Sequence, residues 1–449
     1  MNVLINITFQ QVTNDPNDNP RSLNFTVYQC HSFEVYSTWK NLTDLATIEL
    51  PKNYYAYLNT NKKTIGFGSQ YTDNNIQILP TNNYINGFPV IEGESAPTYL
   101  FMRGDKVTIS MGYYYPTSLN NDGTYIYTTT MNTIFEGYIS MVHVGIPVKL
   151  SCEDNFWLLK QCTAPAKNYP ASIDNMGTIF NDFLNTVLPS ENKTFTELGY
   201  TVERAPEGNA FFTLNIGPFQ IAQNETWSSV FERLRKHNYL YFYFRGTVLR
   251  GGGVVYYPED FYQDNSNTPV PFFFQRNIIT GDADERKSPW SLNTKNKTEL
   301  NYELKTDINI GAMCYSYNKV QAEVTNATGN TRTKNAPLSV LVGADKEDAT
   351  EFYDFKFYAL TKEELIAKGE QQLLKYYYNG FRGKFTTFGM PFVQHGNIIS
   401  LTDNVMPGNN GKYLVRGVKY AFGVKLGLRQ EIEIDIKTDD PTNNILTAI

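Results

Sequence analysis

A chain of 449 residues is long enough for two to four domains, each with a core of its own. Charged residues make up 19% of the chain and aromatic residues 14%, a composition typical of pleated, half-buried β-strands. The formal net charge of −6 argues against a protein whose main task is to grip nucleic acid.

The sequence shows no sign of export, membrane insertion or zinc binding. Its first seven residues alternate polar and apolar side chains, unlike a signal peptide, and no apolar stretch is long enough to span a bilayer. The four cysteines form no CxxC pair: Cys30, Cys152, Cys162 and Cys314. We therefore expect buried free thiols in a chain that is made in a reducing host cytoplasm.

Residues 1–150 are predicted to be almost entirely β. Short alternating blocks broken by Gly or Pro are typical of a small β-barrel or sandwich, and they occur at residues 33–35, 46–51, 103–109 and 135–139. The pair Asp122-Gly123 predicts a hairpin turn between two Tyr-rich strands. Residues 53–98 are rich in Asn, Tyr and Thr, and we expect them to form a long insertion between two barrel strands.

Residues 151–270 are predicted to form an α+β middle domain. The first helix is expected at 173–188, with Ser172 as a possible N-cap and one apolar face formed by Ile179, Phe180, Phe183 and Val187.

A second helix of the middle domain is better defined. Asn224 is the expected N-cap, and the helix should end near His237 and Asn238. Its apolar face consists of Trp227, Val230, Phe231 and Leu234. A hairpin should follow, with strands at 239–244 and 247–250 and a turn at Arg245-Gly246.

Residues 271–449 return to β, with blocks at 389–391, 396–401 and 411–418 that resemble those of the first 150 residues. Thr361 and Glu364 predict a capping box for one helix near 362–378, which Asn379-Gly380 should end. The apolar positions of that helix are Leu365, Ile366, Leu373, Leu374 and Tyr377. Asn410-Gly411 is a second hairpin signal. Two β units on one chain favour a scaffold over an enzyme built around a pocket.

We identify no catalytic, cofactor-binding or metal-binding residue, and we expect no enzymatic activity. Of the four histidines, His395 is expected to be a turn residue rather than a base. Residues 15–19 and 282–285 are interpreted as solvated loops, and residues 251–253 as a tight strand connection. The basic side chains of Arg233, Arg235, Lys236 and His237 are interpreted as an ordinary feature of a helix C-terminus.

Several of these blocks, in this order, resemble the hub protein at the distal end of phage tails. The family includes the T-even and Mu-like baseplate hubs, the late control protein D group and the hub half of the type VI secretion spike protein. The resemblance covers residues 23–436 and depends on the order of several weak motifs. They are Phe33-Glu34-Val35-Tyr36-Ser37-Thr38-Trp39, Arg103-Gly104-Asp105-Lys106-Val107-Thr108-Ile109, Phe135-Glu136-Gly137-Tyr138-Ile139, Cys152-Glu153-Asp154, the 227–234 helix with its hairpin, and the blocks at 389–399 and 411–418.

The resemblance implies a mainly β fold with two tube-forming β-barrel domains, at 1–150 and 271–449, joined by the smaller α/β region. It implies a homotrimer that adapts the sixfold tail tube to a threefold spike. The implied partners are the tail tube or distal tail protein, a separate spike or tip protein, the tape-measure protein and, in passage, DNA without specific binding. The expected location is the virion tail or baseplate. The excursions at 53–98 and 331–352 exceed a minimal hub.

Two alternatives stay open. Aromatic, Asn-rich loops resemble sugar-binding surfaces, which favours a carbohydrate- or receptor-binding tail protein. A cell-wall hydrolase at the tail tip is the other alternative, although no acid pair can be chosen from the sequence alone.

Overall fold

The computed structural model describes most of the chain, in segments. They are residues 2–12, 21–51, 54–59, 63–67, 76–78, 84–85, 88–91, 98–119, 124–143, 147–170, 175–203, 216–238, 240–252, 270–274, 301–305, 309–317, 321–325, 331–335, 338–358, 360–374, 376, 380–403, 407–424 and 427–437.

The first third consists of strands. They are β1 (Asn2–Gln10), β2 (Asn24–Val27), β3 (Ser32–Thr38), β4 (Leu45–Leu50), β5 (Tyr54–Leu58), β6 (Lys63–Phe67), β7 (Ile76–Ile78), β8 (Tyr84–Ile85), β9 (Phe88–Ile91), β10 (Thr98–Tyr99), β11 (Lys106–Leu119), β12 (Tyr125–His143) and β13 (Val148–Glu153). In β1, Ile5, Ile7 and Phe9 are buried and their neighbours are more exposed, the period of two that a half-buried strand requires.

Helices and short strands alternate in the next hundred residues, which we call the middle part. It contains α1 (Phe156–Gln161), β14 (Lys167–Tyr169), α2 (Asn175–Leu184), β15 (Val187–Leu188), β16 (Lys193–Thr194), β17 (Thr201–Glu203), β18 (Phe219–Ile221), α3 (Trp227–His237), β19 (Tyr241–Arg245) and β20 (Val248–Gly252). Its core is rich in aromatic rings, with Phe231 of α3 at 4.9 Å from the ring of Phe242.

The last part returns to strands around one helix. It contains β21 (Val270–Phe274), β22 (Asn301–Lys305), β23 (Ile310–Tyr317), β24 (Gln321–Thr325), β25 (Thr331–Asn335), β26 (Leu338–Gly343), β27 (Glu351–Tyr358), α4 (Lys362–Leu374), β28 (Gly380–Phe388), β29 (Ile398–Asp403), a 3₁₀ turn (Pro407–Asn409), β30 (Gly411–Gly423) and β31 (Gly427–Lys437). The chain is therefore mainly β with α+β parts, as the sequence predicts.

One sheet, which we call the main sheet, runs through both ends of the chain. In the described residues its order is β22-β28-β31-β30-β3-β4-β13-β12-β11-β1-β2-β5-β6-β7, with β29 on β30 and β21 on β29. Strand β3 joins the two ends, because it pairs antiparallel with β4 on one side and with β30 on the other. The pairings described leave β22 and β7 as outer strands, so the two closed barrels stay a prediction.

Burial divides the described residues into three main cores. The core of the main sheet takes residues from both ends of the chain, such as Ile7 and Ile432, both of them fully buried. The middle part has its own core, and α4 covers a third, smaller one on β23, β26 and β27. The domain boundaries near 150 and 270 stay a prediction.

Several element predictions are confirmed. Strands β11 and β12 form a hairpin around Asp122-Gly123, which lie outside the described residues, and β29 and β30 form the second hairpin at Asn410-Gly411. The capping box is present, with the amide of Thr361 donating to Glu364 and the amide of Glu364 donating to Thr361 Oγ1. The predicted insertion at 53–98 stays a prediction as a whole, but three of its segments, β5, β6 and β7, are strands that extend the main sheet beyond β2.

Other boundaries were wrong. Helix α2 ends at Leu184, and Val187 is exposed in a short strand rather than on the apolar face of a helix. Helix α4 ends at Leu374, earlier than the predicted 378. The β19–β20 turn lies one residue later than predicted, because Arg245 still pairs with Val248. Ser172, Tyr377 and Asn379 lie outside the described residues.

The N-cap of α3 was also assigned to the wrong residue. Thr226 Oγ1 accepts the amide hydrogen of Ser229, whereas Asn224 stands two residues earlier with a left-handed φ of 63°. Both residue types favour N-caps, so composition alone does not separate them.

Candidate functional site: a polar junction and an exposed hairpin

Five polar side chains meet where the main sheet contacts the middle part, and we call this set the polar junction. Ser37 lies on β3, Asp44 just before β4 and Asp154 just after β13. Arg245 ends β19, and His395 lies in the turn that precedes β29. The junction therefore joins segments that are far apart in the sequence, because Ser37 and His395 are 358 positions apart.

Hydrogen bonds connect these residues in a chain. Ser37 Oγ donates to Asp44 Oδ2 at 2.5 Å and lies 2.7 Å from His395 Nδ1. The Thr38 amide donates to the other oxygen of Asp44 at 3.0 Å. The Asp154 amide donates to the carbonyl of Asp44 at 3.1 Å, so both carboxylates are held beside each other by the backbone.

The electrostatics of the junction favour neutral side chains. Burial raises the pKa of Asp44 to about 6, although the Ser37 and Thr38 hydrogen bonds and Arg245 oppose the rise. Burial, and then the charge of Asp44, raises the pKa of Asp154 well above its ordinary value. Burial, and then the neighbouring cations Arg245 and Arg250, lowers the pKa of His395, so its imidazole is neutral at physiological pH.

Ser37, His395 and Asp44 have the residue types of a hydrolase triad but not its order. In a triad the histidine lies between the nucleophile and the acid. Here the serine lies between the other two, and Asp44 contacts Ser37 instead of the imidazole. His395 is fully buried in a turn, as predicted, and Arg245 donates to its carbonyl oxygen. In this geometry the imidazole and the carboxylate both contact Ser37, which differs from the arrangement that activates a triad serine.

A cavity of about 340 Å³ opens on this junction. Its charged lining consists of Asp44, Glu136, Asp154 and Arg245. A second cavity of about 220 Å³ shares Glu136 and Asn155 with the first, so both follow the contact between the main sheet and the middle part. Sequence analysis did not identify Ser37 and Asp44 as a pair with His395, because no local pattern connects such distant positions.

The basic edge of α3 is structural, as predicted. Arg235 and Lys236 form ion pairs with Glu232, and Arg233 pairs with Glu225. Arg235 also donates to the carbonyl of Lys40, which ties α3 to the loop of the polar junction. The acidic residues 282–285 and the loop 15–19 lie outside the described residues.

All four cysteines are buried and free, as expected. Burial raises the pKa of the Cys30 and Cys314 thiols to about 12 and that of Cys162 to about 11, so these thiols are protonated. Within the described part of the chain, no group of three His, Cys, Asp or Glu side chains is placed to hold a metal ion. In the same residues, no helix is long and apolar enough to cross a membrane.

The outer half of the β11–β12 hairpin exposes aromatic and aliphatic side chains, and we call it the exposed hairpin. Tyr125, Tyr127 and Ile126 are 58%, 49% and 43% exposed, and Tyr114 stacks on Tyr127 with ring centroids 4.8 Å apart. From 112 to 133 the sequence contains a single charged residue, Asp122. Among the described strands, β12 pairs only with β11 before Tyr138. A long strand edge without charged side chains readily pairs with a strand of another molecule, so we expect a partner to cover it.

Comparison with known proteins supports the fold. No protein-family profile and no curated protein sequence matches the chain. The crystal structure of the tail protein from Neisseria meningitidis MC58 is similar over 98% of this chain and 97% of that one, with 12% identity and a TM-score of 0.54. The 43 kDa tail protein of prophage MuSo2 from Shewanella oneidensis aligns over 97% and 98%, with 11% identity and a TM-score of 0.49.

A Francisella PdpA–VgrG complex also aligns, over 98% of this chain and 59% of that one, with 11% identity and a TM-score of 0.45. The similarity to the Neisseria protein shows that the chain has the fold of a tail protein. The resemblance stated from the sequence is thereby confirmed for the fold.

Proposed function

We propose that this chain is a structural hub at the distal end of a phage tail, where a homotrimer adapts the sixfold tail tube to a threefold spike. The observation that carries the proposal is the main sheet. Strands β3 and β30 join a β unit from each end of the chain edge to edge. Three chains would therefore present six such units, and the domains at 1–150 and 271–449 are the proposed tube-forming barrels.

The exposed hairpin is the proposed contact between copies. Its uncharged edge and its exposed Tyr side chains suit a permanent interface, in which aromatic residues supply much of the buried area. Pairing of this edge with a neighbouring subunit would continue the sheet across the contact between copies. A closed ring with a heterologous contact repeats this interface three times.

The proposed partners are the tail tube or distal tail protein above the hub, and a separate spike or tip protein below it. The tape-measure protein and then DNA would pass through the channel without specific binding. A trimer has three times the chain charge, about −18. We expect lumen residues to be mainly Asp, Glu, Asn, Ser and Thr, because unpaired cations would retain the DNA backbone.

Mass photometry and cryo-EM class averages of the purified chain test the proposal. We expect threefold particles of three chains. Tyr127→Lys should place a charge in the interface and shift the chain to monomers, whereas Val424→Lys, at a position 73% exposed, should leave the trimer intact. A dimer or a hexamer in the assembled tail would contradict the proposal. A monomer of the purified wild type would move the test to the tail particle, where trimerisation on the tube must then be seen.

A carbohydrate-binding role is the second candidate, because the stacked Tyr114 and Tyr127 rings offer a flat, exposed platform of the kind that sugar rings contact. A glycan array tests it, and binding that Tyr127→Ala abolishes would support it. For the hydrolase alternative we expect an empty zymogram on peptidoglycan. Cleavage lost on one carboxylate substitution would overturn that expectation.

A further inference from the structure

We propose that the polar junction is a latch closed by protons, which holds the middle part and the His395 turn against the main sheet while Asp44 and Asp154 are protonated and releases them when both ionise. The inference does not rest on the proposed function, since it holds for one chain as well as for a trimer.

The first argument is the balance of charge in the junction. Within the described residues Arg245 is the cation that lowers the pKa of Asp44, whereas the charges that act on Asp154 are those of Asp44 and Glu153. Arg245 is also held by the carbonyl of His395, so it cannot follow either carboxylate freely. In the described part of the chain, the other titratable or charged groups beside the junction are acidic, phenolic or next to the imidazole: Glu136, Glu153, Tyr36, Tyr243, Tyr420 and Arg250. Ionising both aspartates therefore leaves one of them without a countercharge.

The second argument is the hydrogen-bond chain, which has two directions. Ser37 has one hydroxyl hydrogen. When Asp44 is ionised, Ser37 donates to Asp44, and Nδ1–H of His395 donates to Ser37. When Asp44 is protonated, its O–H donates to Ser37, Ser37 donates to Nδ1, and the imidazole carries its hydrogen on Nε2. The tautomer of His395 thus reports the charge of Asp44.

A proton balance connects these two states. One proton binds at Nε2, Nδ1 passes its hydrogen to Ser37 Oγ, and Ser37 passes its own to Asp44 Oδ2. The imidazole is neutral before and after the transfer, and the carboxylate gains the single proton taken up. Nε2 is able to receive it, because it has no hydrogen-bond partner on the described part of the chain.

The direction of the pH effect follows from linkage. When the junction opens, the carboxylates become fully hydrated, and their pKa values return to the ordinary range, which is 3.8 for Asp44. Closure raises the Asp44 pKa to about 6. Between these values the closed state binds more protons, so closure is favoured as pH falls and weakens as pH rises. Each unit of pKa difference changes the opening equilibrium constant tenfold. Over the whole titration of Asp44 this constant therefore rises about a hundredfold.

The third argument is that several buried polar atoms in and beside the polar junction have no hydrogen-bond partner in the described residues. Besides His395 Nε2, they are Trp39 Nε1, Tyr243 Oη and Arg245 Nε, within the described residues. Tyr243 contacts the His395 ring edge-on at 4.7 Å, and Arg245 lies 5.4 Å from the Tyr243 ring. Opening would hydrate all four atoms, which offsets the lost apolar contact. Hydration of these atoms therefore lowers the free-energy cost of separating the middle part from the main sheet.

Hydrogen exchange of the full chain tests the latch. We measure amides of residues 227–252 at pH 4.5, 6.0 and 7.5, corrected for intrinsic exchange. For wild type we expect opening to rise at least about twentyfold over this range from Asp44 alone, because part of the Asp44 effect lies below pH 4.5. Asp44→Asn mimics the protonated state and should remove most of the rise. The control Asp182→Asn removes the partly exposed carboxylate that pairs with Lys167, and it should keep the rise. A wild-type profile that is flat in pH, or an Asp44→Asn profile equal to wild type, would overturn the proposal.

Imidazole ¹⁵N chemical shifts give a second test, which does not depend on whether the Asp44→Asn variant folds. Selective labelling yields signals from four histidines, and His395→Gln identifies the one of interest. We expect His395 to change from Nδ1–H at pH 7.5 to Nε2–H at pH 5. Ser37→Ala interrupts the chain and should leave the tautomer independent of pH. One unchanging tautomer in wild type across this range contradicts the latch.

Discussion

Asp105 shows how a single buried charge organises the start of the main sheet. Arg21 binds it with two hydrogen bonds, of 2.9 and 2.6 Å, and both side chains are almost completely buried. The amide of Met102 donates to the same carboxylate at 2.8 Å, so Asp105 also holds the turn before β11. Within the Arg-Gly-Asp segment of the family resemblance, Asp105 thus has a structural role.

Removing Arg21 should be costly, because it takes the two-hydrogen-bond guanidinium partner from the buried Asp105 carboxylate. We expect Arg21→Met to lower the free energy of unfolding by about 3–5 kcal/mol. Lys384→Met, which removes the exposed pair with Glu431, should cost less than about 1 kcal/mol. Urea titration measures both. Equal losses would show that the Arg21 pair contributes no more than a surface pair.

Lys368 is a buried lysine without an anionic partner in hydrogen-bond contact. It is 5% exposed, its ammonium lies 5.3 Å from the Phe357 ring, and Nζ has no hydrogen-bond partner in the described residues. Burial lowers its pKa to about 7, although Glu364 acts in the opposite direction. Protonation at this site therefore destabilises the folded chain relative to the unfolded one.

The pH dependence has a definite sign. Between the lowered pKa near 7 and the ordinary value of 10.5, the unfolded state binds the extra proton, so stability should rise from pH 7 to pH 9. Lys368→Met should remove this rise and stabilise the fold at pH 7 by about 1–3 kcal/mol. Lys362→Met, on the exposed side of α4, is the control. Paired urea titrations at both pH values decide, and an unstable Lys368→Met would contradict the argument.

At the scale of elements, local signals were sufficient where one residue type determines the geometry. The capping box of α4, the apolar face of α3 and the hairpins around Asp122-Gly123 and Asn410-Gly411 are all present. Pairings over long distances were not predictable, since nothing near Ser37 indicates His395, and nothing near β3 indicates β30. Helix α2 was predicted too long because Val187 continues its apolar spacing but belongs to a strand.

The N-cap of α3 gives a test at this scale. Thr226→Ala removes the hydroxyl that accepts the Ser229 amide, and it should destabilise the middle part by about 1 kcal/mol. Asn224→Gly should be neutral or slightly stabilising, since glycine adopts the φ of 63° without strain. Thermal unfolding of the two variants compares them directly. The reverse order of stability would restore Asn224 as the cap.

At the scale of the molecule, the three cores do not follow the order of the chain. The main-sheet core joins residues from β1 to β31, whereas the core under α4 comes from residues 310–373. The core of the middle part comes from residues 156–249, with Leu42 and Tyr138 added from the first 150 residues. The middle part is inserted between two halves of a single core. Its contacts with the main sheet include the polar junction, the Arg235–Lys40 hydrogen bond, the Tyr138–Trp157 ring stack and the small cluster of Tyr241, Tyr243 and Leu414.

This arrangement predicts which substitutions act together in unfolding. Ile7 and Ile432 lie at opposite ends of the chain but in one core. Ile7→Val and Ile432→Val should each lower the midpoint of the same calorimetric transition, with a loss of about 0.5–1.5 kcal/mol in the free energy of unfolding. Val230→Ala lies in the core of the middle part and should lower a different transition. If Ile7→Val and Ile432→Val shift separate transitions, the two ends of the main sheet unfold independently.

The contact between β3 and β30 also has a consequence for the chain during its synthesis on the ribosome. Ser32 pairs with Gly423, so one edge of β3 waits for a strand that is translated about 390 residues later. At typical rates of synthesis this takes roughly 20–80 s. During that time Phe33 and Val35, both buried in the finished protein, belong to a strand with one open edge. Nascent chains on one polysome are therefore at risk of pairing with each other, and slower translation lengthens the exposure.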